Sequence, residues 1–268
     1  MAVGDCSRLI EKVVERIRGW GARKLSYAGR LVLINDVLTQ LHSFWARIFI
    51  IPLTVIDKIT SICRNYLWAS SDKYGRVPAV AWDQVCLGKK YGGTVHCGQW
   101  IYLVAGGLVK VDWWPLIWNR LSLPKYAFIG WLMIQERLYT KDRMLRFGVI
   151  SDGLCDICRT QMEDHQHLFY SCDFSTRCWT LLREWLGVPL PTNDVLHWCS
   201  MWRCRSLLKK QLVYAAVVAL IYHIWMAQNV CREEHRVPIP RQIFNEIRRY
   251  IQNLYRSKEM MSRFSLVL

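Results

Sequence analysis

Four residues in one short stretch have the types and spacing of metal ligands: Cys155 and Cys158, then His167 and Cys172. The pattern reads C-x2-C-x8-H-x4-C. A two-residue gap lets both thiolates of a tight turn reach one ion about 2.3 Å away. Three thiolates and one imidazole complete a tetrahedral shell, which zinc favours, and a closed shell leaves no position for a reacting water. The expected cofactor is therefore a structural zinc ion (Zn2+). His165 is a competing ligand, because C-x2-C-x6-H-x6-C is also geometrically possible; His167 is the preferred choice. The plainer alternative is a set of reduced core thiols with His167 as a cap or surface residue. Cys178, further along, reads as core.

Composition sets the context for such an ion. The chain has 268 residues, enough for one large or two small domains with a core. Apolar residues make up 52% and aromatics 13%, which excludes disorder over most of the length. Fifteen glycines and eight prolines exclude collagen-like and low-complexity classes. The N-terminus carries Asp5, Glu11 and Glu15 without a continuous apolar run, unlike a secretory signal. The expectation is a reducing compartment, nucleus or cytoplasm, not secreted. There, clustered cysteines point to metal more than to disulfides. Lys and Arg total 36 against 21 Asp and Glu, a formal charge of +15. That balance points to a polyanionic partner, RNA or DNA or an anionic membrane, with nucleic acid preferred over the plainer alternative of a basic protein that has no polyanionic partner. No G-x-S-x-G, Walker-type loop or H-E-x-x-H occurs, and no catalytic constellation emerges.

The elements that must position these residues are mostly helical. Leu9, Ile10, Val13, Val14 and Ile17 form one apolar face. Ser26 can cap a second helix reaching Leu41 or beyond, with Leu31, Ile34, Val37, Leu38 and Leu41 inward. Pro52 can open a third, with Val55, Ile59, Ile62, Cys63 and Tyr66 buried. The helical pattern degrades between Ala69 and Lys110, where glycines recur, and Ile101 to Ala105 could be a short strand. Pro124 starts a helix burying Phe128, Trp131, Leu132 and Leu138; Thr140 caps a short one that Gly148 stops. Ser175 caps a helix with Trp179, Leu182, Trp185 and Leu186 inward, ended by Gly187 and Pro189. Leu207 to about Glu234 reads as a long buried helix. Its apolar stretch, 212–227, covers about 16 residues, short of the roughly 20 needed to span a bilayer. It therefore reads as core rather than membrane. Pro238 and Pro240 break it, and a last basic amphipathic helix runs from Arg241 with Ile243, Ile247, Tyr250, Ile251 and Leu254 on one face.

Two runs carry a resemblance. Residues 123–132 (LPKYAFIGWL), Thr140, Arg143, Cys155, Cys158, His167-Leu168-Phe169, Cys172 and Trp179 resemble the zinc-binding domain that follows the reverse transcriptase of plant LINE-type (non-LTR) retrotransposons. That similarity covers roughly residues 113–187, and Ile224-Trp225 and Asn229 resemble the helix after it. Separately, Trp20, Leu25-Ser26, Ala28-Gly29-Arg30 and Leu33-Ile34 match W-x4-L-S-x-A-G-R-x2-L-I, the region after the polymerase palm. Pro52, Tyr66-Leu67-Trp68, Ala81-Trp82 and Gly92-Gly93 continue that match. The departures are equally informative. A polymerase of this family needs adjacent aspartates to hold two divalent ions, and the chain has no Asp-Asp pair. Gly88 replaces a proline usual before the Lys-x-x-Gly-Gly run. Only Thr94 to Asp112 stands where a long segment is normal. The resemblance implies a truncated, internally deleted copy without polymerase activity, its fingers and palm upstream.

The expected fold class is mainly α. Residues 1–93 would be a thumb-like helical module and 94–112 a linker at the internal deletion. Residues 113–187 would be a small zinc-stapled helical domain, and 188–268 a helical C-terminal extension. By resemblance, Arg23, Lys24 and Arg30 sit in a region that tracks a template-primer backbone, so they are the expected nucleic-acid-binding residues; phosphate contacts of this kind do not read sequence. Arg203, Arg205, Lys209 and Lys210 form a second basic cluster, and Arg241, Arg248, Arg249 and Arg256 a third. Trp113, Trp114 and Trp118 could stack bases, although core packing is the commoner use. The function expected is non-catalytic nucleic-acid binding through backbone electrostatics, with no membrane role. The alternatives are a protein-interaction module or a decayed fragment without function.

Overall fold

A computed structural model describes residues 10–11, 13–15, 17, 25–40, 53–68, 78–94 and 110–265. The fold is mainly α, and no strand longer than an isolated bridge occurs among the described residues. The chain divides into two compact units, Met1–Val111 and Asp112–Leu268.

In the first unit, residues 10, 11, 13–15 and 17 are helical, with Val13 and Ile17 buried. Helices α1 (Tyr27–Gln40) and α2 (Leu53–Trp68) pack on one another. Ser26 caps α1 as expected, its Oγ accepting from the Gly29 amide at 3.3 Å. Leu31 and Ile34 of α1 and Val55, Ile59 and Cys63 of α2 are buried as the spacing predicts, whereas Ile62 and Tyr66, expected on the same buried face, are only half-buried. The outcome for Val37, Leu38, Leu41, Pro52 and the strand expected at 101–105 lies outside the described residues or side chains. Helix α3 (Trp82–Cys86) leads into a 3-10 turn, Lys89–Tyr91. Gly92 closes that turn at φ +89°, a conformation that favours glycine. A Cβ on Gly93 would sit 2.0 Å from the Leu87 carbonyl oxygen. The Gly92-Gly93 pair is thus a backbone necessity.

The second unit is built around α9 (Leu207–Glu234), against which α4 (Trp114–Ile117), α5 (Pro124–Ile134), α7 (Asp173–Leu186) and α10 (Pro240–Ser265) all pack. Every residue of α9 from Val213 to Ile221 is buried. A helix apolar all round belongs in a core or a membrane. This one is long and apolar enough to cross a bilayer, yet more than half of its most apolar window is already buried inside the fold. Gly130 on α5 lets the two helices approach closely: a Cβ there would meet Val218 at 3.2 Å and Ile117 at 3.0 Å. Trp131, Phe128 and Leu182 fill the same core. Burying each such side chain contributes about 1.5–3 kcal/mol.

Several boundaries differ from expectation. Helix α5 ends at Ile134, and Glu136 turns at φ +51°, so Leu138 reaches the core from a loop rather than from the helix. Thr140 occupies the cap position of α6 (Lys141–Arg146), but its hydroxyl donates to Asp142 instead of receiving an amide. Helix α7 starts at Asp173 with Cys172 as its cap residue. Ser175 lies inside it and donates to the Leu168 carbonyl at 2.5 Å. Trp185 and Leu186 are only half-buried. The short helix α8 (Val195–Met201) was not foreseen, although Asp194 caps it through the Leu196 amide at 2.7 Å.

Candidate zinc centre

The loop from Gly153 to Glu163 folds back on itself. Leu154 and Met162 form an isolated antiparallel bridge, the Cys155 amide donates to the Gln161 carbonyl at 2.8 Å, and the Glu163 amide donates to that of Gly153 at 2.9 Å. The tight turn at its tip carries Cys155 and Cys158, and the Arg159 amide donates back to the Cys155 carbonyl at 2.9 Å. Arg159 adopts φ +57° to make that turn. Opposite the tip, residues His167–Ser171 form one π-helical turn in which the Cys172 amide donates to the His167 carbonyl at 2.8 Å. The wide turn presents His167 and Cys172 to the same point. Such turns are found often at functional sites.

The three Sγ atoms and one imidazole nitrogen lie within 4.8 Å of one another. A tetrahedral ion with bonds of about 2.0–2.3 Å would hold its ligand atoms roughly 3.5 Å apart, so the cluster needs only a small contraction. Cys155 and Cys172 are fully buried and His167 nearly so. The His167 Nε2 faces the Cys158 Sγ at 3.3 Å. Its Nδ1 lies 3.0 Å from the Gln161 Oε1, which can only accept. The proton is thereby assigned to Nδ1, and the Nε2 lone pair is left for a metal, the usual orientation of a ligating histidine. Burial lowers the His167 pKa, which keeps the ring neutral. The Thr160 hydroxyl donates to the Cys158 Sγ at 3.2 Å. Cys172 receives a hydrogen bond from the Cys155 thiol, and amides at the start of α7 add to it, so its pKa is lowered. Cys155, donor in that pair and buried, is pushed up. His165, the competing ligand, points elsewhere: its Nδ1 lies 3.5 Å from the Thr140 hydroxyl and its ring beside Phe169.

A buried polar network, missed by sequence reasoning, ties this loop to α9. Asp156, between Cys155 and Ile157, pairs with Lys141 at 2.7 Å, Arg232 at 3.2 Å and Arg159 at 3.3 Å. Glu163, fully buried, accepts from Gln228 at 2.9 Å, from the Lys141 amide at 3.1 Å and from Arg232 at 3.5 Å. Burial nevertheless pushes the Glu163 carboxyl up. The Cys231 thiol donates to the Asp156 carbonyl at 3.0 Å. The one signal available was Gln228, a polar residue on the buried stripe of an apolar helix. On the other side, Trp179 donates to the Phe169 carbonyl at 2.7 Å, and the Tyr170 hydroxyl accepts from the Val195 amide at 3.1 Å.

The three cations expected on the first unit fare differently. Arg23 and Lys24 lie outside the described residues. Arg30 lies over the rings of Tyr27 and Tyr66 and donates to the Leu67 carbonyl at 3.4 Å, within the α1–α2 pair. The other two clusters belong to the second unit, where Arg203, Arg205, Lys209, Arg241, Arg248, Arg249 and Arg256 are exposed. Trp113, Trp114 and Trp118 are half-buried around α4.

Residues 99–179 match the family of zinc-binding segments in reverse transcriptases. The match covers the zinc-binding segment and not a polymerase domain. A protein of Arabidopsis thaliana, provisionally named a ribonuclease H protein, is 32% identical over 132 residues, 49% of this chain. The chain spans about a fifth of that relative's length. No solved structure matches the chain significantly. Together the family match, the plant relative and the four-ligand cluster support a retroelement-related origin, with a zinc-binding segment of the reverse-transcriptase type at its centre.

Proposed function

We propose that Cys155, Cys158, His167 and Cys172 bind one structural zinc ion, and that the module this ion staples binds nucleic acid without catalysing a reaction. The observation that carries the reading is the cluster itself, in which four ligand atoms from two turns meet at one point inside the segment matching the zinc-binding family. Zinc here would cross-link the 153–163 loop to the π-turn and so fix the start of α7. Four protein ligands leave no open coordination position, which supports a structural role. The absence of an Asp-Asp pair supports a chain that does not polymerise. We further infer descent from a LINE-type element with an internal deletion, on the motif order described above.

The binding surface is assigned to the exposed cations at 203–209 and 241–256 more than to Arg30, which is engaged inside its helix pair. Arg23 and Lys24 remain part of the proposal on the resemblance alone. Such contacts neutralise phosphates and release counterions, on RNA or on DNA. The test is the salt dependence of oligonucleotide binding by the full chain. Four or more phosphate contacts on a single strand predict a slope of about −3 or steeper in log K against log salt. A slope near zero would overturn the electrostatic reading and favour a protein-interaction module.

A further inference from the structure

Where α7 ends, the first turns of α9 and the C-terminal half of α10 enclose a groove of about 420 Å³. That volume falls in the range of about 300–1,000 Å³ typical of small-ligand sites. Leu212, Val213 and Ile251 line it with apolar surface, Val213 and Ile251 being buried and so forming its floor. Trp185 and Tyr255 supply aromatic wall; Trp185 is held edge-on against Phe244 at 6.0 Å, and Tyr255 is 47% exposed. Lys209 and Arg256 stand on the rim, exposed, and neither forms an ion pair with a described residue.

The groove is electrostatically one-sided. No Asp or Glu occurs from Val195 to Arg232, nor from Ile247 to Lys258, the stretches that supply its α9 and α10 walls. Glu184, beside Trp185, is exposed and does not line it. Aromatic surface beside cations that form no ion pair with a described residue matches one chemistry well. A flat, apolar, π-faced group joined to negative charge can place its ring below and its charge on the rim. Successive bases on aromatic side chains, with the backbone tracked by cations, are how single strands are held. A duplex offers the same phosphates but keeps its base faces stacked, so it cannot fill the floor. Gln252, one turn before Arg256 on the same helix face, adds a donor and an acceptor for a base edge.

The geometry points to a binding site for an unstacked base of single-stranded nucleic acid in the groove between α7, α9 and α10, with the flanking phosphates on Lys209 and Arg256. This rests on the nucleic-acid reading above and adds to it a strand preference and an address. It is tested on the full chain with a 12-nucleotide uridine-rich RNA carrying one 5-iodouridine, beside a 12-base-pair duplex. Photocrosslinks should map to Tyr255 or Trp185. Tyr255→Leu should weaken single-strand binding about tenfold, the order expected for one lost base–aromatic stack. It should leave duplex binding unchanged, and Tyr255→Phe should behave as the parent. Lys209→Gln/Arg256→Gln should weaken both and flatten the salt dependence. Tyr255 is exposed, so the variants are expected to fold; zinc content and circular dichroism check this. Tight binding that Tyr255→Leu leaves intact, with crosslinks elsewhere, would overturn the groove and spare the broader function. Absence of binding to either nucleic acid would overturn both. Altered self-association in Tyr255→Leu, with oligonucleotide binding intact, would assign the groove to a second copy of the chain and overturn the proposal.

Discussion

Asp156 lies outside the ligand cluster, yet its loss should cost the second unit about as much as losing a core side chain. Its carboxylate is 5% exposed and meets Lys141 at 2.7 Å and Arg232 at 3.2 Å, whose side chains are 7% and 28% exposed. Asp156→Asn keeps the size and removes the charge. Removing one partner of a buried ion pair costs about 3–5 kcal/mol, because the other charge stays buried and uncompensated. Two contacts reduce that figure here. Lys141 retains Asp152 at 3.3 Å, and Arg232 retains Glu163 at 3.5 Å. Arg159 is half exposed and loses little. The expected net cost is about 2–3 kcal/mol. Urea unfolding of the zinc-loaded chain reads it as a lower midpoint at unchanged slope. Arg177→Gln, which removes the fully solvated pair with Asp173, is the control and should cost less than about 0.5 kcal/mol. Zinc content should stay at that of the parent. A change below about 0.5 kcal/mol in Asp156→Asn would refute the claim that this network clamps the loop to α9.

Three further outcomes are expected. Gln161→Ala removes the acceptor that fixes the His167 ring, so zinc affinity, read by chelator competition, should fall about 10–100-fold with stoichiometry unchanged at saturation; unchanged affinity would mean that Gln161 does not orient the ring. Gly93→Ala drives a Cβ into the Leu87 carbonyl, and faster amide exchange across residues 82–94 should follow, whereas parent-like exchange would show that the turn relaxes freely. Burial lowers the His223 pKa below its usual 6.5 despite Glu246 at 3.5 Å. The unfolded chain therefore binds the proton more readily, so the stability due to the neutral ring is complete above about pH 6.5 and is lost as pH falls toward the folded value. His223→Gln should flatten the stability profile in that window, and an unaltered profile would remove His223 from the acid response.

The parts of this fold that were legible in sequence are those set by local chemistry. The cap at Ser26, the stop at Gly148, the length of α9 and the spacing of the four ligands all depend on residues near one another in the chain. Helix α7 shows where local rules mislead. Ser175 has the chemistry of a cap, but the π-turn brings the chain into the helix at Cys172, leaving Ser175 to satisfy the Leu168 carbonyl. Helix α8 was readable through Asp194, a good cap residue, but its seven residues carry too little periodicity to stand out. The Asp156–Lys141–Arg232 and Glu163–Gln228 network was not readable, because its partners lie up to 76 residues apart and only the packing of α9 unites them. Arg30 is a related case. The resemblance implied phosphate binding there, and the rings of Tyr27 and Tyr66 that lie against it come from α1 and α2, a contact that spacing along the chain does not reveal.

Bound zinc per chain, measured on the purified protein beside a Cys155→Ser/Cys158→Ser double variant, tests the zinc centre most directly. A closed Cys3His site predicts about one zinc in the parent and none held by the double variant. A soluble, folded parent chain without zinc, or a double variant that retains it, would contradict the ligand assignment.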